Sequence, residues 1–129
     1  MTKKILVVDD SVTSRMINQI LITKRVGYEV ISASSGKEAL QLALTARPDL
    51  ILMDVMMPGI DGVEVCRRLR RQPQTATIPI VLLTFRIGEE SIRDGYESGC
   101  NAYLKKPVQE VELLNTLREC LEHEPSRRL

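Results

Sequence analysis

The architecture of this protein can be inferred from one segment, Pro48-Asp49-Leu50-Ile51-Leu52-Met53-Asp54-Val55-Met56-Met57-Pro58-Gly59-Ile60-Asp61-Gly62. Its apolar run from Leu50 to Met53 does not alternate with polar residues, which predicts a strand buried on both faces of a parallel sheet. The run stops on Asp54, and the following Pro-Gly and Asp-Gly pairs indicate a turn. Ligands of open α/β sheets bind at the carboxyl ends of the strands, so Asp54 is the leading candidate for a functional residue.

Similar apolar runs, each followed by an amphipathic helical pattern, occur on both sides of this segment. The other predicted strands are Lys3–Val8, Tyr28–Ile31, Ile78–Leu83 and Ala102–Leu104. The predicted helices are Val12–Arg25, one that begins after Ser34 or Ser35, Val63–Arg71, Glu89–Ser98 and Val108–Leu121. Five strand–helix units predict a doubly wound α/β fold, in which helices cover both faces of a five-stranded parallel sheet.

The first predicted helix is bounded by Ser11, a favourable N-cap residue, and by Gly27. Its apolar residues at helical spacing are Val12, Met16, Ile17, Ile20 and Leu21. In the third helix, the basic run Arg67-Arg68-Arg70-Arg71 is interpreted as a solvated face. These patterns are typical of helices that cover one side of a sheet.

The composition favours one globular domain. The chain has 129 residues, of which 43% are hydrophobic and 27% charged, and its net charge of +1 provides no field that would attract nucleic acid or a membrane. We therefore expect no membrane association and no direct binding of nucleic acid. The N-terminus lacks the pattern of a signal peptide, and the three cysteines are interpreted as reduced packing residues, so a cytoplasmic location is expected.

The polar residues that end the predicted strands should meet at one edge of the sheet. Right-handed crossovers place the carboxyl ends of all five strands there, together with Asp9, Asp10, Asp54, Thr84 and the run Lys105-Lys106-Pro107. Three crowded carboxylates repel one another unless a cation or a proton joins them, and hard oxygen ligands favour Mg²⁺ or Mn²⁺. A carboxylate beside such a cation can accept a phosphoryl group, which a lysine and a hydroxyl would neutralise and hydrogen-bond.

With these motifs in order, the sequence resembles the receiver domain of two-component response regulators over residues 3–122. The resemblance implies a flavodoxin-like sheet of strand order 2-1-3-4-5. It further implies that Asp54 accepts a phosphoryl group from a histidine kinase or a phosphotransfer protein. Asp9, Asp10 and Asp54, with the backbone carbonyl of Met56, would hold the metal ion.

The remaining site residues are also implied by this resemblance. Lys106 would pair with the phosphoryl group through a direction fixed by a cis peptide bond to Pro107, and Thr84 and Tyr103 would form the switch pair. One position departs from the family pattern, because the residue after the switch threonine is usually small and here is Phe85. Its ring could restrict access to the site or could point away.

Several functions remain to be weighed. The first is a phosphorylation-driven switch, not an enzyme, which signals to an unknown downstream protein through the face of the fourth helix, fifth strand and fifth helix. The second is an enzyme, a phosphatase or phosphotransferase that forms an aspartyl phosphate, disfavoured because Met56 stands where those of the haloacid dehalogenase type place their general acid. The third is a receiver fold that binds partners independently of phosphorylation.

The chain end leaves the molecular context open. Residues 123–129, which contain His123, are expected to be a C-terminal tail or the start of a linker. The sequence carries no output domain, so the protein either acts through protein contacts or is part of a longer regulator. A homodimer through the fourth-helix face is left open, as are the kinase and the response.

Overall fold

A computed structural model describes residues 2–122 of the chain. The strands are β1 Lys4–Val8, β2 Glu29–Ala33, β3 Leu50–Asp54, β4 Ile80–Thr84 and β5 Ala102–Lys105. The helices are α1 Val12–Val26, α2 Gly36–Thr45, α3 Gly62–Arg70, α4 Glu89–Glu97 and α5 Glu110–Glu122. The expected tail at 123–129 lies outside the described residues.

All strand pairs are parallel, and the sheet order is β2-β1-β3-β4-β5, as predicted. The register places the strand ends side by side: Val8 pairs with Met53, Asp54 with Leu83, and Thr84 with Lys105. Every residue of β3 and β4 is buried. The predicted burial of these strands on both faces, inferred from apolar runs without polar alternation, is therefore confirmed.

The core is divided by the sheet into two layers. On one face, side chains such as Leu6 and Ile51 pack against α2 and α3. On the other face, Ile5 and Leu52 pack against residues of α1 and α5. Cys66, Cys100 and Cys120 form no disulfide and are buried within these layers, which confirms their interpretation as packing residues.

The helix ends follow local hydrogen bonding. The side chains of Ser11, Ser35 and Asp61 accept hydrogen bonds from backbone N–H groups in the first turns of α1, α2 and α3. Gly27 ends α1 in the left-handed conformation with φ of 70°, which glycine adopts without steric cost.

Three predicted boundaries were wrong by two residues, and the first is the end of β2, which lies at Ala33 and not at Ile31. The fourth strand begins at Ile80, since Ile78 closes a turn by donating its N–H to Thr75 O. The fifth helix begins at Glu110, since its first turn closes when Leu113 N–H bonds to Gln109 O. The apolar residues Ile78 and Val108, with which these two predicted elements began, therefore lie outside β4 and α5.

The apolar residues of α1 lie mainly on its exposed side, whereas in most surface helices they face the core. Its buried residues are Asn18 and Ile22, whereas Val12, Met16, Ile17 and Ile20 are each at least half exposed. Positions 12, 16 and 20 lie on the side of the helix opposite positions 18 and 22. The outer side of α1 therefore carries an apolar stripe. Within residues 2–122, no helix is long and apolar enough to cross a membrane.

Candidate functional site

Three carboxylates meet where β1 and β3 end side by side. Asp9 and Asp10 follow β1, and Asp54 is the last residue of β3. One oxygen of each carboxylate lies within 4.8 Å of the others. Asp9 and Asp54 are buried, with exposures of 2% and 6%, and Asp10 is exposed. The cluster is thus open to solvent on the side of Asp10.

Lys106 extends from the end of β5 into this cluster. Its Nζ lies 2.9 Å from Asp9 Oδ2 and 3.3 Å from Asp54 Oδ2, and only 12% of the side chain is exposed. The Lys106–Pro107 peptide bond is cis, as the resemblance implied. The neighbouring Lys105 is exposed to solvent. The structure therefore brings Lys106, and not Lys105, into contact with the carboxylates.

Burial and charge act against each other at this cluster. Burial raises the pKa of Asp54 above its ordinary 3.8; Lys106 opposes this effect and the charge of Asp9 adds to it. For Lys106, burial would lower the pKa, but hydrogen bonding to Asp9 and the charges of Asp54 and Asp9 outweigh it, so the pKa is raised. The lysine therefore stays charged, while Asp54 carries a charge that its surroundings disfavour.

Backbone groups fix the directions of the carboxylates. Ser11 N–H donates to Asp9 Oδ1 at 2.9 Å, and Met56 N–H donates to Asp54 Oδ1 at 3.3 Å. Arg15, on the first turns of α1, donates from Nη1 to Asp9 O at 2.6 Å. Arg15 could not be singled out from the sequence, because this contact joins a side chain to a backbone carbonyl six residues away.

Gly62 allows the first turn of α3 to approach the end of β3 closely. A Cβ at this position would lie 2.5 Å from Asp54 O and 2.9 Å from Val55 Cα. Since these are backbone atoms, no side-chain rotation could relieve the overlap. The absence of a side chain at Gly62 thus permits the close approach, and Gly62 N–H donates to Val55 O at 2.8 Å.

Thr84 and Tyr103 are joined through the backbone of Arg86. Thr84 is fully buried, and its Oγ1 accepts a hydrogen bond from Arg86 N–H at 3.1 Å. Tyr103 is half-buried, and its hydroxyl donates to Arg86 O at 2.9 Å. The Tyr103 ring packs beside Tyr96, with ring centroids 6.5 Å apart. Arg86, which sequence reasoning did not single out, therefore links the two residues of the expected switch pair.

Phe85 lies beside the site. Its side chain is exposed, and Lys106 Nζ lies 5.7 Å from the centre of its ring. Within such a distance, an ammonium and the face of an aromatic ring attract each other. The ring thus borders the lysine instead of pointing away from it. Met56, also exposed, offers no acidic or amide side chain to the site.

The donor set fits a small divalent cation. Three carboxylates within one ion's reach, partly open to water, match the oxygen ligands and retained waters that Mg²⁺ requires. A nearby ammonium and a buried hydroxyl provide hydrogen-bond donors for an anion that would join the carboxylates. The arrangement is therefore suited to holding a cation together with a phosphoryl group.

Comparisons with known proteins agree with this geometry. The family model described as the response regulator receiver domain matches residues 5–118. The transcriptional regulatory protein AfsQ1 of Streptomyces coelicolor is 45% identical over 105 residues, covering 81% of this chain and 45% of AfsQ1. Protein PilH of Pseudomonas aeruginosa is 36% identical over 118 residues, covering 92% of this chain and 97% of PilH. This chain thus spans less than half of AfsQ1 and nearly all of PilH.

A solved structure of a similar domain contains a metal ion. The receiver domain of the sensor histidine kinase PA1611 from Pseudomonas aeruginosa superposes with a TM-score of 0.87 at 28% identity. The match covers 95% of this chain and all of that domain. That structure has a magnesium ion coordinated in its active-site cleft.

Proposed function

The chain belongs to the response regulator receiver family, and we propose that it is a phosphorylation-activated switch of a two-component system. In this proposal Asp54 accepts a phosphoryl group from a histidine kinase or a phosphotransfer protein. The observation that carries it is the position of Lys106 Nζ, within 3.3 Å of Asp54 and 2.9 Å of Asp9. A lysine directed into a carboxylate cluster with an open side provides the charge that an incoming phosphoryl group needs.

The proposed reaction is an in-line transfer. An Oδ atom of Asp54 attacks the phosphorus, and the bond from phosphorus to the donor nitrogen of phosphohistidine breaks, with its electron pair remaining on the imidazole. Lys106 compensates the phosphoryl charge, and the Thr84 hydroxyl can turn to hydrogen-bond a phosphoryl oxygen. Asp9, Asp10, Asp54 and the Met56 carbonyl would hold Mg²⁺ or Mn²⁺, which would supply charge neutralisation for the transferred group.

The proposed output passes through Thr84 and Tyr103. If the Thr84 hydroxyl turns toward a phosphoryl group, the hydrogen bond that it accepts from Arg86 N–H breaks. The backbone of Arg86 can then move, and Arg86 O is the group to which the Tyr103 hydroxyl donates. Tyr103 would then move inward and change the face formed by α4, β5 and α5. We propose that this face binds the downstream protein, and that the protein acts in the cytoplasm.

A test of this function uses acetyl phosphate as the donor. Incubation with acetyl phosphate and Mg²⁺ should add the mass of one phosphoryl group, located at Asp54 by peptide mapping, and Asp54→Asn should gain none. A pull-down that compares beryllofluoride-treated with untreated protein should then recover a partner preferentially with the treated form. Absence of any mass gain on wild-type protein would refute phosphoryl acceptance.

One observation keeps a second candidate function under consideration. Because the exposed Phe85 ring borders Lys106, it stands where a bulky phosphodonor would approach. The protein would then bind its partner independently of phosphorylation. Full-strength partner binding by Asp54→Ala protein would favour this alternative, whereas phosphorylation-dependent binding would exclude it.

A further inference from the structure

A cavity of about 160 Å³ lies next to the carboxylate cluster, between α1 and the ends of β4 and β5. Its apolar walls include Ile17, Leu21, Leu83 and Val108. A dry cavity of similar size in another protein holds one benzene molecule. The space is therefore sufficient for a short alkyl chain.

Two residues are shared between this cavity and the proposed phosphorylation site. Phe85 and Lys106 line the cavity, and Lys106 Nζ is also 3.3 Å from Asp54 Oδ2. Lys106 therefore borders both the cavity and the proposed nucleophile. A group attached to a phosphorus atom near Asp54 and Lys106 would therefore find the cavity within a few bond lengths.

The cavity wall also carries an amide that makes no hydrogen bond to other groups among residues 2–122. Asn18 is 7% exposed, lines the cavity, and makes no hydrogen bond through its side chain to any group in that range. No buried side-chain nitrogen or oxygen among these residues lacks a partner, so the Asn18 amide reaches solvent, and a ligand oxygen would replace water as its partner. An apolar wall with one available amide suits a ligand that has an alkyl part and a polar oxygen.

We propose that this cavity is a subsite for the leaving group of acyl phosphates, and that it makes the protein prefer acyl chains longer than acetyl. The inference rests on the proposed phosphoryl acceptance by Asp54. An acyl phosphate combines the two required parts, a phosphoryl group for Lys106 and an acyl group with an oxygen that can accept from Asn18.

The transfer needs no further reactant apart from the divalent cation. An oxygen of Asp54 attacks phosphorus, the phosphorus–oxygen bond to the acyl group breaks, and the electron pair of that bond leaves with the carboxylate. One acyl phosphate and one carboxylate become another acyl phosphate and another carboxylate, with no proton exchanged. The alkyl chain of the leaving carboxylate gains affinity by contact with Ile17, Leu21 and Val108.

A second depression, over the β3–α3 turn, is less suited to an alkyl chain. Its lining includes two charged residues, Asp61 and Arg86, beside Met56 and Met57. Contact with these charges would remove water from them without compensation. The apolar cavity is therefore the better site for the acyl group.

The test compares acetyl phosphate with butyryl phosphate, which release carboxylates of the same chemical type and differ by two methylene groups. The second-order rate constants for Asp54 phosphorylation are measured in Mg²⁺ with the full chain. We expect butyryl phosphate to react roughly tenfold faster, the gain that burial of two methylene groups predicts.

A matched pair of variants locates the effect. Ile17 and Ile20 are exposed to similar extents on α1, at 54% and 50%, but only Ile17 lines the cavity. Ile17→Ala should reduce the butyryl-to-acetyl ratio by about threefold, and Ile20→Ala should leave it unchanged. The ratio is measured within each variant, so a change in folded fraction cancels.

Three results would overturn the inference. A wild-type ratio at or below one would show that the cavity takes no alkyl chain. A high ratio that Ile17→Ala leaves intact, or that Ile20→Ala reduces equally, would place the preference elsewhere. If neither donor modified Asp54, the proposed function itself would fail and the inference with it, a result distinct from modification without chain-length preference.

Discussion

The Asp54 side chain is subject to opposing requirements, since the charge that would make it nucleophilic is disfavoured by its burial and by Asp9. A carboxyl whose pKa is raised on folding reduces stability once pH exceeds its unfolded pKa, and the loss is complete above the folded pKa. At neutral pH the ionised group therefore destabilises the unliganded protein. Such conflicts are common at sites adapted to bind a ligand.

We predict that Asp54→Asn stabilises the metal-free protein. At pH 7 the free energy of unfolding in urea should rise by about 1 kcal/mol, because the variant has no disfavoured charge. The gain should shrink as pH falls below the raised pKa of folded Asp54 and should vanish below 3.8, the ordinary pKa, because wild-type Asp54 is then protonated in both states. Asp94→Asn, an exposed substitution on α4, serves as the control. A less stable Asp54→Asn protein at pH 7 would contradict this account.

A second prediction concerns Lys106, whose ammonium forms ion pairs with carboxylate oxygens of Asp9 and Asp54 in the unliganded protein. Lys106→Ala should bind Mg²⁺ roughly tenfold more tightly, because a positive charge that competes with the ion is removed. The same variant should hold a phosphoryl group less well. Titration calorimetry measures the affinity, and Lys105→Ala is the matched control because its side chain is exposed. Equal Mg²⁺ affinity in all three proteins would show that the lysine does not compete.

Sequence reasoning identified the side chains at the strand ends, because those residues interrupt apolar runs and parallel topology places them together. It did not identify Arg15, Asn18 or Arg86. Arg15 and Arg86 act through hydrogen bonds that involve backbone groups, and Asn18 is notable because it faces a cavity. Such contacts depend on three-dimensional placement and leave no spacing pattern in the sequence.

At the scale of secondary-structure elements, two glycines set how closely helices approach strands. At Gly62, an added Cβ would meet the backbone of Asp54 and Val55. At Gly95, an added Cβ would lie 2.5 Å from Cδ2 and 2.7 Å from Cε2 of the Tyr103 ring. Backbone atoms in a strand cannot yield, whereas an aromatic ring can turn about its side-chain bonds.

The third prediction is that the two alanine substitutions differ. Gly62→Ala should reduce the free energy of unfolding by about 2–3 kcal/mol through overpacking and should slow phosphorylation of Asp54. Gly95→Ala should change stability by less than about 1 kcal/mol, because higher helix propensity offsets the displaced ring, but should shift the NMR signals of Tyr103. Gly88→Ala, with no atom within 4 Å of the added Cβ, is the control. Equal costs for Gly62 and Gly95 would refute the distinction.

The elements themselves were largely predictable, and their orientation was less so. Continuous apolar runs identified β3 and β4, since strands covered on both faces need no polar residues. The same logic did not show which side of α1 is buried, because its apolar residues lie mainly on the outer side. The basic run of α3 did not reveal the structural role of Arg70 either. Its guanidinium connects α3 to the loops before β4 and β5 by donating hydrogen bonds to Gly99 O, Ile78 O and Asn101 Oδ1.

At the scale of the whole molecule, the site joins segments that are distant in sequence. Asp9 and Lys106 are separated by 97 residues along the chain and are joined by a 2.9 Å contact. A cation bound by Asp9, Asp10 and Asp54 would likewise hold β1 and β3 together at their carboxyl ends. Because the unfolded chain cannot offer this arrangement, binding must be coupled to global stability.

The fourth prediction follows from that coupling. Addition of Mg²⁺ should raise the Tm of the wild-type protein. When the ion is present at a hundred times its Kd, the free energy of unfolding should increase by about 2.7 kcal/mol. Chelation should reverse the change, and Asp54→Asn should reduce it. The increment should also decrease as pH falls, because the raised pKa of Asp54 lets protons compete with the ion at higher pH than for an ordinary carboxyl.

The pH dependence separates a specific site from general ionic effects. Screening of surface charges by salt would not require the Asp54 carboxylate, and Na⁺ at equal ionic strength provides the comparison. A Tm increment that persists in Asp54→Asn, or that grows on acidification, would show that the ion binds elsewhere. A loss of the increment in parallel with protonation of Asp54 would link the stability of the sheet directly to the carboxylates at its edge.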